Sequence, residues 1–238
     1  MSFPRLSAWT GWYCAGLLSL LALPWAAQAA PAFENTIAQR VMACAACHGK
    51  EGRAGPDGYY PRLAGKPAGY LYQQMLAFRD GRRHYGVMQR LLEPLSDAYL
   101  MEIAQYYAGL DLPYAAPREA RLAPAVLQRG RQLATQGDAA RKLPACAQCH
   151  GTVLTGAMPG TPGLLGLPQD YLNAQLGAWR NGQRRASAPD CMAQVARQLE
   201  PDDLVAVTAW LSSQPVPAQA KAGAALPPVP GLACGSAP

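Results

Sequence analysis

Six residues recur in this chain almost unchanged: Cys44-Ala45-Ala46-Cys47-His48-Gly49 returns 102 positions later as Cys146-Ala147-Gln148-Cys149-His150-Gly151. The repetition runs well beyond the motif. Pro61 to Arg83 matches Pro162 to Arg184 at a shift of 101. Within it Pro61, Leu63, Gly65, Pro67, Tyr70, Leu71, Gln74, Ala77, Arg79, Gly81 and Arg83 are identical to their counterparts. Met88 and Leu95 then recur as Met192 and Leu199, shifted by 104. The small drift in offset is what loop insertions produce between two copies of one unit. A period near 100 is the size of a domain and far longer than that of a solenoid repeat. The chain must therefore fold as two similar units in tandem, each carrying one motif.

Each unit reads as helices separated by loops. In the first, Glu34 to Ala43 carries Ile37, Val41 and Met42 on one face and leads directly into the cysteine motif. Pro67 stands where a helix can begin, and Tyr70, Leu71, Gln74, Met75 and Phe78 follow helical spacing until Gly81. Ser96 is placed to cap a helix over Asp97 to Ala108, with Leu100, Ile103, Ala104 and Tyr107 turned inward. The second unit repeats this over Pro124 to Thr135, Pro168 to Arg180 and Pro201 to Leu211. Met88 and Met192 fall between helices, in what read as loops. Strand-like alternation is nearly absent, so the expected fold is all-α.

The boundaries follow from composition. Residues 1–29 read as a secretory signal: Arg5, an apolar run from Gly11 to Leu23, then Ala27-Gln28-Ala29 as the cleavage pattern. That run falls short of the roughly 20 residues a spanning helix needs. The first domain is expected over 30–114, a proline-marked linker over 115–122 and the second domain over 123–214. An Ala/Pro-rich tail with little to pack occupies 215–238. Of seven cysteines, Cys14 leaves with the signal and four lie in the motifs. Cys191 and Cys234 remain, an even pair in an exported chain where disulfides persist. They are expected to bond to each other. The alternative is Cys191 as a thiolate beside Met192.

Cys-x-x-Cys-His is the attachment pattern of c-type haem. Cys44 and Cys47, and again Cys146 and Cys149, have the spacing to add their thiols across two vinyl groups. His48 and His150 then fall beneath the iron as proximal ligands. Zinc ribbons place such pairs 15–20 residues apart, not 102, and a thioredoxin-like pair needs a βαβ setting that is missing. For the opposite axial position His84 could serve one site at most, being the only other histidine. Met88 and Met192 stand at equivalent repeat positions, 40 and 42 residues after their histidines, and are the expected distal ligands. Met42, Met75 and Met101 read as core filler, and Met158 has no partner in the first half.

These motifs, the Pro-x-Leu-x-Gly segments at Pro61 and Pro162, and the "MQRLLEPLSD" stretch after Met88 make the chain resemble the cytochrome c4 family. The likeness spans nearly all of residues 30–213. It implies two tandem class I cytochrome c domains, each a small helical bundle around one covalent haem, and so two haem c groups. It also implies that the Pro61 and Pro162 carbonyls accept hydrogen bonds from the proximal histidine rings. Tyr59, Tyr60, Tyr70, Phe78, Tyr171 and Trp179 are expected to wall the haems.

With both axial positions taken by protein, such a chain carries electrons and catalyses nothing itself. The favoured reading is a periplasmic carrier between respiratory partners, a quinol-oxidising complex and a terminal oxidase or reductase. A second is the cytochrome subunit of a dehydrogenase, such as a flavocytochrome c sulfide dehydrogenase with its flavoprotein. A third is a dihaem enzyme acting on a sulfur compound, with Cys191 near the second iron. The formal net charge of +6 is scattered rather than clustered, which argues against nucleic acid and leaves peripheral membrane association open. Residues 30–115 carry nine basic and eight acidic groups, and 116–238 carry eleven and seven. An acidic redox partner would therefore dock on the second domain, with Arg180, Arg184 and Arg185 as candidate contacts.

Overall fold

Short helix-compatible runs bounded by proline, serine and glycine give a chain built almost wholly of helices. The computed structural model describes residues 33–55 and 57–236; the signal-like segment and Cys14 lie outside them. The first half holds α1 (Ile37–Arg40), α2 (Met42–His48), α3 (Ala68–Arg79), α4 (Gly86–Leu92) and α5 (Asp97–Gly109). The second holds α6 (Pro124–Thr135), α7 (Ala147–His150), α8 (Gln169–Arg180), α9 (Cys191–Gln198) and α10 (Pro201–Ser213). Two short strands, β1 (Gly156–Ala157) and β2 (Thr161–Pro162), pair antiparallel between α7 and α8. No helix among the described residues is long and apolar enough to cross a membrane.

Capping chemistry places the helix starts. The Ser96 hydroxyl accepts from Tyr99 N at the head of α5, and Pro67 and Pro168 stand at the caps of α3 and α8. The expected helix over 34–43 is a correction: the chain breaks at Val41 into α1 and α2, and Met42 is 66% exposed, outside the core. Val41 takes the buried place instead. Met88 and Met192 require a second correction, since neither lies in a loop. They sit in the first turns of α4 and α9. Asp190 caps α9 by accepting from Ala193 N at 2.9 Å, and Leu92 of α4 is buried with Phe78 and Leu100.

The buried apolar side chains fall into clusters that do not mix the halves. Val41, Leu71, Ile103, Ala104 and Tyr107 form one, Phe78, Leu92 and Leu100 another. Leu133, Leu154, Leu165, Tyr171, Leu172, Val207 and Leu211 build the core of the second half. There α6 crosses α10 so closely that a Cβ on Gly130 would lie 2.1 Å from the Ala206 carbonyl oxygen. Arg129 and Arg141 lock the crossing by donating to Asp203, at the start of α10, and to Asp138. Burial would raise the Asp203 carboxyl, but those guanidinium bonds outweigh it and hold it below the usual range. Gly130→Ala is expected to destabilise the protein by about 3 kcal/mol in calorimetric unfolding. Its clash is with backbone, so the helix-propensity gain of about 1 kcal/mol does not rescue it.

The segment leading into the linker and the tail are both tied down. Buried Arg62 donates to the carbonyls of Leu112 and Pro113 and stacks on Tyr114, 3.9 Å from its ring centre. No residue of the tail over 215–236 is buried, as its composition suggests, yet polar bonds fix its course. Gly223 exchanges backbone hydrogen bonds with Gly156 and Met158 in a single bridge, Gly235 N donates to the Pro189 carbonyl, and Ser187 N donates to Ser236 Oγ. Backbone pairing holds it where few apolar side chains are available.

Candidate haem sites

Both cysteine motifs lie on short helices, α2 and α7, that deliver a histidine to the interior. His48 and His150 are 8% and 7% exposed. Each helix ends on a glycine with positive φ, Gly49 at 73° and Gly151 at 89°. A Cβ there would sit 2.7 Å from the Ala54 carbonyl oxygen or 2.8 Å from that of Gly156. The motif therefore needs its sixth residue for a turn that glycine makes without strain.

His48 Nδ1 donates to the Pro61 carbonyl at 2.9 Å and His150 Nδ1 to the Pro162 carbonyl at 2.7 Å. A carbonyl only accepts, so the proton sits on Nδ1 and the lone pair on Nε2 is left for a metal. Burial pushes both imidazoles below their usual pKa, against the opposing effect of the proline carbonyl. Neutral rings are the form that ligates. Cys44, Cys47, Cys146 and Cys149 take no part in a disulfide, and burial pushes the Cys146 thiol up to about 11. Among the described residues no three His, Cys, Asp or Glu side chains converge to hold a bare ion. The thiols and imidazole of each motif are arranged around space rather than around a point.

That space is a cavity of about 590 Å³ continuous through both halves. Its walls include the four motif cysteines, both histidines, Met88, Met192 and the six aromatic residues singled out from the sequence. Met75 and His84 also reach it, whereas Met158 does not and is 48% exposed. Cys191 is bonded to Cys234, with Cα atoms 5.0 Å apart. The free thiolate that a catalytic second site would need is thus engaged beside Met192.

Between the halves lies a cluster that the sequence hinted at only through repeat identities. The chain pairs Arg83 with Arg184 as an antiparallel bridge, flanked by His84 N to the Gln183 carbonyl and Arg185 N to the Arg82 carbonyl. Arg83 donates to Gln74 at 2.9 Å, Gln175 at 2.7 Å and Tyr171 at 3.1 Å. Arg184 donates to Gln175 at 2.9 Å, Gln74 at 2.8 Å and Tyr70 at 3.4 Å. Every member has its repeat counterpart 101 positions away, so the two halves exchange equivalent bonds. Arg184 is 5% exposed, which corrects its reading as a docking cation; only Arg180 and Arg185 of that trio face solvent. Burial alone would raise the Tyr70 phenol, yet Arg184 and Arg83 outweigh it and hold it low.

Among the described residues neither guanidinium is paired with a carboxylate. Two buried cations side by side call for anions. Trp179 Nε1, also in the cavity wall, is a buried donor with no acceptor. Haem fits this set: an apolar macrocycle for the walls, vinyls for the thiols, a metal for the imidazoles, and two carboxylates for Arg83, Arg184 and Trp179.

The cytochrome c family model matches residues 127–215. A cytochrome c4 of Pseudomonas aeruginosa is 33% identical over 174 residues, 72% of this chain and 84% of the relative. The chain belongs to the cytochrome c4 family. Its fold is that family's tandem pair of class I cytochrome c domains, and it is a cytochrome c4-like electron carrier that binds haem c covalently. Two further likenesses stand out. A "thiosulfate dehydrogenase electron acceptor" of Thiomonas intermedia is 37% identical over 198 residues, 83% of this chain and 89% of the relative. A solved thiosulfate dehydrogenase (TsdBA) of Marichromatium purpuratum superposes with a TM-score of 0.65 at 35% identity. That match covers 72% of this chain and 36% of the larger one.

Proposed function

We propose that this chain is an exported, periplasmic dihaem cytochrome that accepts single electrons from a thiosulfate dehydrogenase and hands them to a respiratory acceptor. The observation that carries the reading is the Thiomonas intermedia relative, named as the acceptor for such an enzyme and matched along 89% of its length. Haem, when bound, supplies the one-electron couple. In this reading Cys44 and Cys47 hold one group and Cys146 and Cys149 the other. His48 with Met88, and His150 with Met192, would supply the side chains that ligate the irons. The Pro61 and Pro162 carbonyls fix the proximal rings and raise their basicity. Arg83, Arg184 and Trp179 Nε1 hold carboxylates at the interface. With a histidine and a methionine taken up by each iron, no position would remain for a substrate. Arg180 and Arg185 remain as exposed cations on the second half, where an acidic partner would be steered.

The Pseudomonas aeruginosa likeness favours a second reading, a general carrier between a quinol-oxidising complex and a terminal oxidase. Mixing the oxidised holoprotein with thiosulfate and catalytic amounts of the Thiomonas intermedia thiosulfate dehydrogenase separates the two. Reduction of two haems per chain, followed in the visible spectrum, is the expected result. No reduction there, with rapid reduction by a quinol-oxidising complex, would place the chain with the general carriers.

A further inference from the structure

Lys66 breaks the symmetry of the repeat. Its counterpart in the second half is Leu167, a core residue, yet Lys66 is itself only 5% exposed and lines the cavity. From the first half its Nζ crosses to the second and donates to the Gly163 carbonyl at 3.0 Å. Gly163 directly follows Pro162, whose carbonyl holds His150. Among the described residues no carboxylate is paired with Lys66. Burial and the neighbouring Arg62 pull its amine down to about 8, so at pH 7 it still carries a proton.

The charges around the two proximal histidines therefore differ. His48 lies within the influence of Arg83 and Asp57, of opposite sign. His150 lies within that of Lys66 and Arg184, both cationic. A buried cation disfavours the more positive, oxidised state of a nearby iron and so raises its reduction potential. We propose that Lys66 is a cross-domain tuning residue that raises the reduction potential of the second haem. This rests on the reading that each half holds one haem.

The test is a spectroelectrochemical titration of the purified holoprotein, with haem counted per chain and the second haem identified as the wave displaced by Met192→Ala. Lys66→Leu, which copies the second half's own residue, is expected to shift the reduction equilibrium of that wave about tenfold, 59 mV downward. The first wave stays in place, and Lys66→Arg keeps both where they were. Two haems with an unmoved second wave in Lys66→Leu overturn the proposal alone, as does an equal fall in Lys66→Arg. Fewer than two haems per wild-type chain overturns the two-site reading and the proposal with it.

Discussion

Replacing Met192 with alanine is expected to remove half of the weak red sulfur-to-iron absorption of the oxidised protein, and Met88→Ala the other half. The two methionines occupy equivalent repeat positions, and both face the cavity that holds the histidines. His/Met ligation raises a haem's potential relative to bis-histidine ligation. Each substitution should therefore lower one wave, and one only, by roughly a hundredfold in equilibrium, about 120 mV. Folding should survive. Each residue sits in the first turn of a short helix whose placement depends on other groups. Leu92 anchors α4 and the Asp190 cap fixes the start of α9. Spectra of the two variants, each with haem quantified, check this. A band untouched by Met192→Ala would remove that residue from the iron, and no other methionine of the second half lines the cavity to replace it. In the first half Met75 would be the substitute to examine, since it alone besides Met88 reaches the space.

Much of the fold could be read because it is local. Ser96, Pro67, Pro168 and the spacing of Leu100, Ile103, Ala104 and Tyr107 define helices by contacts within a few residues. The repeat then carries each assignment into the other half. The cysteine motifs named the cofactor because thioether chemistry dictates their spacing. What escaped was non-local. Arg184 is a charged residue after a helix end, which in one dimension reads as solvated. Only the folded chain brings Tyr70, Gln74 and Gln175 around it. The same cluster was nevertheless present as a set of repeat identities, Tyr70, Gln74 and Arg83 with their counterparts. Polar residues repeated among core positions were the available signal. The first turns of α4 and α9 read as loops in the sequence because each helix is under three turns and is stabilised by tertiary packing more than by propensity. In α9 the spacing of Met192, Val195, Ala196 and Leu199 already traced a helical face, with Asp190 ahead of it as a cap. Of the tail's anchors only the Cys191–Cys234 disulfide was legible, as the spare cysteine pair; its backbone hydrogen bonds leave no mark on the sequence.

Removing both interface arginines is expected to cost more than the sum of removing each. Gln74 Oε1 accepts from Arg83 and Arg184 alike, and so does Gln175 Oε1. After Arg83→Leu each glutamine oxygen keeps one donor, and Arg184 is relieved of a like charge that, after burial, is the strongest influence lowering its pKa. After the second substitution both oxygens lose their remaining donor in a buried site, where an unsatisfied polar group costs about 1–3 kcal/mol. Each single variant should therefore lose about 2 kcal/mol. The double variant should lose more than their sum, by about 0.5 kcal/mol or more. Charge gives the pair a second signature. Each guanidinium favours the reduced state of the site it lies beside, Arg83 the first and Arg184 the second, so each single variant should also lower that site's wave, by roughly tenfold or about 59 mV. A purely mechanical clamp would give the stability loss without that shift. Chemical denaturation and redox titration of the same four proteins, wild type included, therefore separate the two roles. Additive stabilities with unmoved potentials would reduce the cluster to a surface where two domains happen to touch.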